Sequence, residues 1–393
     1  MTGLSEARLE NKTVLLRVDF NVPLDKSGEI IDDTRIREAL PTIDLLRRHN
    51  NRVVVVSHLG RPKGKFVPEL SLAPVARRLS QLLNTPVELL GDCVGEPIKQ
   101  AVKNLKPGEV IVLENVRFHA EEEKNDPAFA RELAALADVY VNDAFGTAHR
   151  AHASTAGVAE YLPCYSGLLV DKEVKMLNLV LANPEKPKMA ITGGAKVSDK
   201  LGLLRNLIRQ VDIVIIGGGM ANTFLKAQGF EVGKSLLESG LLEEARNLLA
   251  EASSRGVQIL LPTDVVVSDH LGADAAAATV AIDQIKPDDM ILDIGPRTVE
   301  LYAQAIKKAR SIIWNGPMGV YEYEQFAGGT EGVARAVADS TAISVIGGGD
   351  SIATIYKLGL ENEVTHISTG GGAALEYLEG LKLPGLVACG CYA

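Results

Sequence analysis

Short runs of aliphatic and β-branched residues recur along the chain, each followed by a loop containing Gly or Asp and then by a stretch with apolar residues at helical spacing. This alternation is the pattern of βα units, whose strands are buried on both faces and therefore read as continuous apolar runs. In the first half it predicts strands at Val14–Val18, Arg52–Ser57, Val110–Glu114 and Val139–Asn142. In the second half it predicts Lys188–Thr192, Asp212–Ile216, Val257–Leu261, Met290–Asp293, Ser311–Trp314 and Ala342–Ile346. Strands of this kind belong to parallel sheets. No short-period repeat of the solenoid kind is visible.

The two halves are separated by GLLVDKEVKMLNLVLANPEKPK, where apolar residues at helical spacing from Leu168 to Leu181 run into a break at Pro184 and Pro187. This reads as a linking helix at a domain boundary. The alternative, a crossover helix inside one large sheet, strains the usual limit on the size of a single core. A length of 393 residues allows two or three domains, and two is the simpler division. The expected fold class is α/β, with two Rossmann-like parallel-sheet domains joined by a hinge helix.

Ligands of open parallel sheets sit beyond the carboxyl ends of the strands, and there the two halves differ. The first-half strands are followed by Asp19, Phe20 and Asn21, by SHLGRP with His58, Leu59, Gly60 and Arg61, by ENVRF with Arg117, and by NDAFGTAHRAHAS with His149, Arg150 and His152. Arg35, in DDTRIREALP, stands at the start of the next predicted helix. One such arginine is an ordinary surface cation. Several at strand and helix edges, in a chain of net charge −9, point to a ligand. Guanidinium groups grip phosphate and carboxylate bidentately, so the rim suits a small substrate carrying both. Asp19 and Asn21 can orient a hydroxyl, and Asp19 equally fits a helix cap or a turn.

The second-half loops are glycine-rich and nearly neutral: ITGGAKVSDK, IIGGGMANT, DIGPRT, WNGPMGVYEYE, VIGGGDSIAT and STGGGAAL. Glycine lets backbone N–H groups approach phosphate oxygens, and a helix starting after such a loop aims its positive end at the anion. Tight βα turns account for some of these loops, but their repetition points to a nucleotide site. Lys196 and Lys200 are four residues apart at a predicted helix start and would share one face. Asp350, in GGGDS, fits either a helix cap or a holder of nucleotide-bound magnesium. GFEVGKS, from Gly229 to Ser235, imitates the phosphate-binding loop G-x-x-x-x-G-K-[ST], but Gln228 occupies the place of its first glycine. The preceding TFLKAQ reads as a helix end rather than a strand, so a P-loop is rejected.

Charge and composition remove other classes. Net negative charge argues against nucleic acid or acidic membranes as partners. The chain has no charge-free apolar run of roughly 18 residues and no apolar signal region at its N-terminus, so a cytoplasmic protein is expected. Cys93, Cys164, Cys389 and Cys391 form neither a CxxC pair nor the His and Cys spacing of a zinc site, and they read as reduced thiols. Cys389 and Cys391 near the chain end leave a redox role open.

RVDFNVP, SHLGRP, LENVRFH, NDAFGTAHRAHAS, GGAKVSDK, IIGGGMANTFL, WNGPMGVYE, IGGGDS and STGGGAALE together resemble phosphoglycerate kinase, in order and over nearly the whole chain. The resemblance implies a 3-phosphoglycerate domain at 1–170, completed by a returning segment at 377–393, and a domain at 171–376 for ADP or ATP with Mg²⁺. It implies a substrate set of Asp19, Phe20, Asn21, Arg35, His58, Leu59, Gly60, Arg61, Arg117 and Arg150. Lys200 matches the lysine at the transferring phosphoryl group, with Lys196 beside it. Gly295, Asn315, Glu322 and Gly348, Gly349, Asp350 and Ser351 match nucleotide positions, Asp350 with the metal. Ser351 stands where the family more often has threonine, a change that keeps the hydroxyl.

The implied reaction is reversible transfer between 1,3-bisphosphoglycerate and ADP, giving 3-phosphoglycerate and ATP, in a monomer whose domains close around the ligands. Arg35, Lys196 and Lys200 would meet the charge of the moving group. The carboxylate acceptor is already ionised at neutral pH, so no general base is needed and His58 and His149 are assigned to binding or structure. A two-lobed binding protein would have no use for the paired lysines. A dinucleotide-dependent dehydrogenase would need G-x-G-x-x-G after a strand, where this chain has GGG runs.

Overall fold

The computed structural model describes residues 3–391. It divides into two compact units, Met1–Val174 with Lys382–Ala393, and Lys175–Leu381.

In the first unit the apolar runs form β1 (Thr13–Arg17), β2 (Arg52–Val56), β4 (Val110–Val112) and β5 (Val139–Asn142), joined by two short strands, β3 (Glu88–Leu89) and β6 (Cys164–Ser166). All pair in parallel, in the order β3-β4-β2-β1-β5-β6. Side chains alternate across the sheet, so both faces need cover. Val14, Leu16, Val53 and Val55 pack on one face with Ile36 and Ile43 of helix Thr34–Arg48 and Val75 and Leu79 of helix Ala73–Leu83. Leu15, Val54, Val56 and Ile111 pack on the other with Ile98, Val102, Phe129 and Leu133. The first strand lies mid-sheet, with β2 on one side and β5 on the other, which places a topological switch point at its carboxyl end.

The second unit repeats this plan. Its strands are β7 (Lys188–Thr192), β8 (Ile213–Ile216), β9 (Gln258–Leu260), β10 (Asp264–Ser268), β11 (Ala278–Ala281), β12 (Met290–Ile294), β13 (Ser311–Asn315), β14 (Ile343–Gly347) and β15 (His366–Ile367). Six form a parallel sheet in the order β15-β14-β13-β7-β8-β9, again with the first strand of the unit inside. Trp314, Ile312, Met189 and Ile346 form its core with Tyr302 and Ile306 of helix Pro296–Ile306 and Val333 and Val337 of helix Gly328–Ala338.

One expectation is corrected here. Met290–Asp293 is a strand but not part of the parallel sheet; it belongs to a separate three-stranded antiparallel sheet, β11-β10-β12. The apolar run reads alike in either sheet; here it pairs antiparallel with β10, so β11 and β12 flank β10 and run in the same direction.

The division between the units falls within the helix Leu168–Ala182, as Val174 ends one and Lys175 begins the other. Asp143, just past β5, accepts hydrogen bonds from the first-turn amides of Leu169 and Val170 at 2.8 and 3.3 Å, fixing the start of this helix on the first unit. Helix Gly372–Leu378 packs in the second unit, where Asn206 Nδ2 donates to Leu378 O. The chain then returns to the first unit. Gly385 N donates to Ala148 O at 2.8 Å, and Cys389 is joined to Cys164 by a disulfide with Cα atoms 5.1 Å apart. This corrects the expectation of four reduced thiols: the returning segment brings together cysteines separated by 225 residues, leaving Cys93 and Cys391 free. Among the described residues no helix is long and apolar enough to cross a membrane.

Candidate active site

The first-unit loops are stitched into one rim by polar contacts. Asp19 pairs with Arg35 through Nη1 and accepts from Asn21 N at 3.2 Å; Asn21 Oδ1 in turn accepts from Gly60 N at 2.8 Å. Gly60 has φ +62°, and its carbonyl accepts from Arg117 Nη1 at 2.8 Å. A side chain at Gly60 would run into Leu70 while forcing an unfavourable backbone, so this turn needs glycine. Asn115 holds the same loop from beneath, donating to Leu59 O at 2.7 Å and Leu70 O at 2.9 Å.

Cations converge on His58. Its Nδ1 lies 3.2 Å from Arg17 Nη2; arginine only donates, so Nδ1 is the acceptor and the ring proton sits on Nε2. Burial first, then Arg17, Arg117, Arg150 and Arg35, hold the His58 pKa well below its ordinary value, so the ring is neutral. His152 is lowered to about 4 by burial and then by Arg117, Arg17 and Arg150. Arg117 itself, 3% exposed, is brought down to about 10 by burial and by Arg150 and Arg17. Its Nη2 is buried with no hydrogen-bond partner among the described residues. Its Nε faces Glu123 at 3.6 Å, so the open Nη2, with Arg150 and Arg17 nearby, is the edge suited to an anion.

Beneath the rim lies a network with no sequence expectation attached to it. Arg17 is fully buried at the end of β1, donating from Nε to Ser154 Oγ at 2.9 Å and from Nη1 to Val18 O. Ser154 donates from Oγ and N to the fully buried Glu122 carboxylate at 2.6 and 2.8 Å. Glu122 thus supplies the counter-charge for Arg17 through Ser154, and Arg17 orients His58. The available signal was a charged residue closing the apolar run VLLR.

In the second unit a cavity of about 450 Å³ opens at the switch point, within the size range of small-molecule sites. Gly194, Gly218 and Gly219, Pro317 and Met318 line it from the loops after β7, β8 and β13, with Asp293, Glu322 and Asp350 also on its wall. Gly193, Gly217 and Gly218 pack so closely on the 317–318 backbone and the Met318 side chain that no β-carbon fits. Asp350, in the first turn of helix Gly349–Lys357, accepts from Tyr321 Oη at 3.1 Å, its one side-chain hydrogen bond among the described residues. Lys200 Nζ donates to Asn315 Oδ1, and burial lowers its pKa despite Glu379, Asp199 and Asp350 nearby. Ser351 Oγ accepts from Gly316 N at 2.8 Å, bracing the loop after β13.

Other expected residues stand apart. Phe20 and Leu59 put their side chains in the core and offer only backbone to a ligand. Arg61 and Lys196 are exposed. The stretch before helix Leu201–Leu207 is a loop and a 3₁₀ turn at Ser198–Lys200, so Lys196 and Lys200 do not share an α-helical face. Gly295 lies against Asp264, whose carboxylate accepts from Arg297 N and Thr298 N at 3.1 and 2.7 Å at the start of helix Pro296–Ile306. Lys234 of the imitation phosphate loop is exposed and pairs with Asp288 at 2.6 Å.

Comparison with known proteins agrees with this arrangement. The family model described as phosphoglycerate kinase matches residues 4–381. Phosphoglycerate kinase of Moorella thermoacetica is 58% identical over 385 residues, 98% of each chain, and that of Pelotomaculum thermopropionicum is 57% identical over 378 residues, 96% of each. The phosphoglycerate kinase structure from Coxiella burnetii superposes with a TM-score of 0.91 at 46% identity, covering 99% of this chain and 98% of that one. That from Pyrococcus horikoshii gives 0.86 at 38% identity, with the same coverage. With two switch-point sites of opposite chemistry and relatives matched along their full length, the chain belongs to the phosphoglycerate kinase family, kinases of glycolysis that transfer a phosphoryl group to a carboxyl acceptor.

Proposed function

We propose that the first unit binds 3-phosphoglycerate and the second binds magnesium-bound ADP or ATP, and that the residues described above divide the reaction 1,3-bisphosphoglycerate + ADP ⇌ 3-phosphoglycerate + ATP between them. The observation that carries the first assignment is the convergence of Arg17, Arg35, Arg117 and Arg150 on a neutral His58, with Arg117 Nη2 unpaired. Arg117, Arg150 and the exposed Arg61 would grip the phosphate, while Asp19, Asn21 and His58 Nε2–H meet the hydroxyl and carboxylate. Arg35, held by Asp19, and Lys200, held by Asn315, would face the transferring group, with Lys196 in support.

The acceptor carboxylate is ionised at neutral pH, so no residue needs to remove a proton, and a neutral buried His58 serves as a hydrogen-bond donor. The exposed Asp350 carboxylate, free of the helix amides, fits a hard cation shared with substrate phosphates, with Glu322 as a further oxygen donor on the same cavity. Magnesium, when bound, supplies neutralisation of phosphate charge. Transfer requires both ligands to meet away from water, so closure of the two units, acting as a monomer in the cytoplasm, completes this reading.

A coupled assay of ATP consumption tests it, with 3-phosphoglycerate run beside glycerate and other small carboxylates. Turnover with 3-phosphoglycerate and none with glycerate is expected; equal turnover with both would remove the phosphate-gripping role from the arginine rim.

A further inference from the structure

Asp92, Cys93 and His119 bring a carboxylate oxygen, a thiol sulfur and a ring nitrogen within 4.8 Å of one another in the first unit, away from the arginine rim's own contacts. Asp92 and Cys93 follow β3 and His119 follows β4, so the neighbouring strands bring together residues that are far apart in the chain. The sequence shows no zinc-ligand spacing because the ligands come from two separate strand ends.

The set is ordered. His119 Nε2 lies 2.7 Å from Asp92 Oδ1, and its ring stacks on Phe129 with centroids 5.0 Å apart, which fixes the imidazole plane. Cys93 N donates to Asp92 Oδ1 at 2.6 Å, holding the carboxylate over the thiol. Cys93 is 1% exposed, whereas the His119 and Asp92 side chains are 29% and 52% exposed, so the cluster has a buried soft ligand at its base and an open mouth.

We propose that Asp92, Cys93 and His119 form a binding site for one divalent cation of the zinc class, distinct from the magnesium that accompanies the nucleotide. Thiolate with imidazole selects zinc-like ions over magnesium or calcium, which take oxygen ligands. A thiolate and a carboxylate balance the double charge of the ion. Binding releases the Cys93 thiol proton to solvent as the metal–sulfur bond forms, with no change of oxidation state. Because His119 is two residues from Arg117, an ion here would also tie down the turn that carries that arginine.

Cobalt(II) is the test probe, titrated into the chelator-stripped full-length protein with its Cys164–Cys389 disulfide intact. One equivalent should produce a thiolate-to-cobalt charge-transfer band with the visible bands of tetrahedral cobalt, and zinc should bleach both. Cys93→Ser should abolish the charge-transfer band, Cys391→Ser should leave it intact, and His119→Gln and Asp92→Asn should each weaken cobalt binding about 10-fold or more. Asp92 is exposed, so its variant tests the site even if the buried serine impairs folding. Absence of the band in the wild-type protein, its survival in Cys93→Ser, or unchanged cobalt affinity in both His119→Gln and Asp92→Asn would leave only a His119–Asp92 ion pair beside a core thiol and would overturn the proposal.

Discussion

Arg117→Met should weaken substrate binding with little or no destabilisation of the free protein, an unusual outcome for replacing a side chain only 3% exposed. Burial, then Arg150 and Arg17, hold the Arg117 pKa at about 10 against an ordinary 12.5. A cation whose folded-state pKa is depressed disfavours the folded state at every pH below that value, so the penalty is fully present at neutrality. At about 1.4 kcal/mol per pH unit it amounts to about 3 kcal/mol. Methionine removes this penalty and loses the hydrogen bond to Gly60 O, worth about 1.5 to 3 kcal/mol for a charged donor, and the 3.6 Å ion pair of Nε with the exposed Glu123, worth at most about 1 kcal/mol. The free variant should therefore lie between about 1 kcal/mol below and about 1.5 kcal/mol above the wild type. Its affinity for 3-phosphoglycerate should fall at least about 30-fold, the lower end for losing one partner of a buried charge contact. Urea unfolding at neutral pH with and without 3-phosphoglycerate, together with calorimetric titration, measures both quantities. A variant that loses more than about 2 kcal/mol without ligand, or that keeps wild-type affinity, refutes the account of Arg117 as a buried cation destabilised by its like-charged neighbours.

Lys200→Met should lower kcat roughly 10²-fold or more while nucleotide affinity changes much less, whereas Lys234→Met, which breaks only an exposed pair with Asp288, should be nearly silent in steady-state kinetics. The reverse pattern would move the phosphate site to the 229–235 loop. Asp143→Asn tests a buried group at the start of the linking helix, where burial raises the Asp143 carboxyl to about 7. A raised folded-state pKa gives stability that is fully present below the unfolded value of 3.8 and is lost as pH rises through about 7. The wild-type melting temperature should therefore fall more steeply than that of Asp143→Asn between about pH 5 and pH 8, and parallel curves in a melting series would contradict this.

The interior strands were legible because parallel strands buried on both faces are written as apolar runs, as in VLLR and IVII. Glu88–Leu89, Cys164–Ser166 and His366–Ile367 were not, since two- and three-residue edge strands carry no pattern of their own and exist through their neighbours. The antiparallel setting of Met290–Ile294 comes from its pairing with β10, which an apolar run by itself does not report. At the site, arginines after strands were readable as one cationic rim because loops at carboxyl strand ends converge on one edge of the sheet. Arg17, Ser154 and Glu122 were missed because their meaning lies in pairings across 137 and 32 residues. The expected shared face of Lys196 and Lys200 failed for a local reason: the α-helix starts at Leu201, after both.

The central claim is that each unit owns one ligand, and amide hydrogen exchange on the full chain tests it most directly. 3-Phosphoglycerate alone should slow exchange around Asn21, Gly60 and Arg117 and leave the loops at Gly194, Gly218 and Gly348 unchanged. Magnesium-ADP alone should do the opposite. Protection of the first-unit loops by the nucleotide alone, with the second-unit glycine loops unprotected, would contradict the assignment of the two sites.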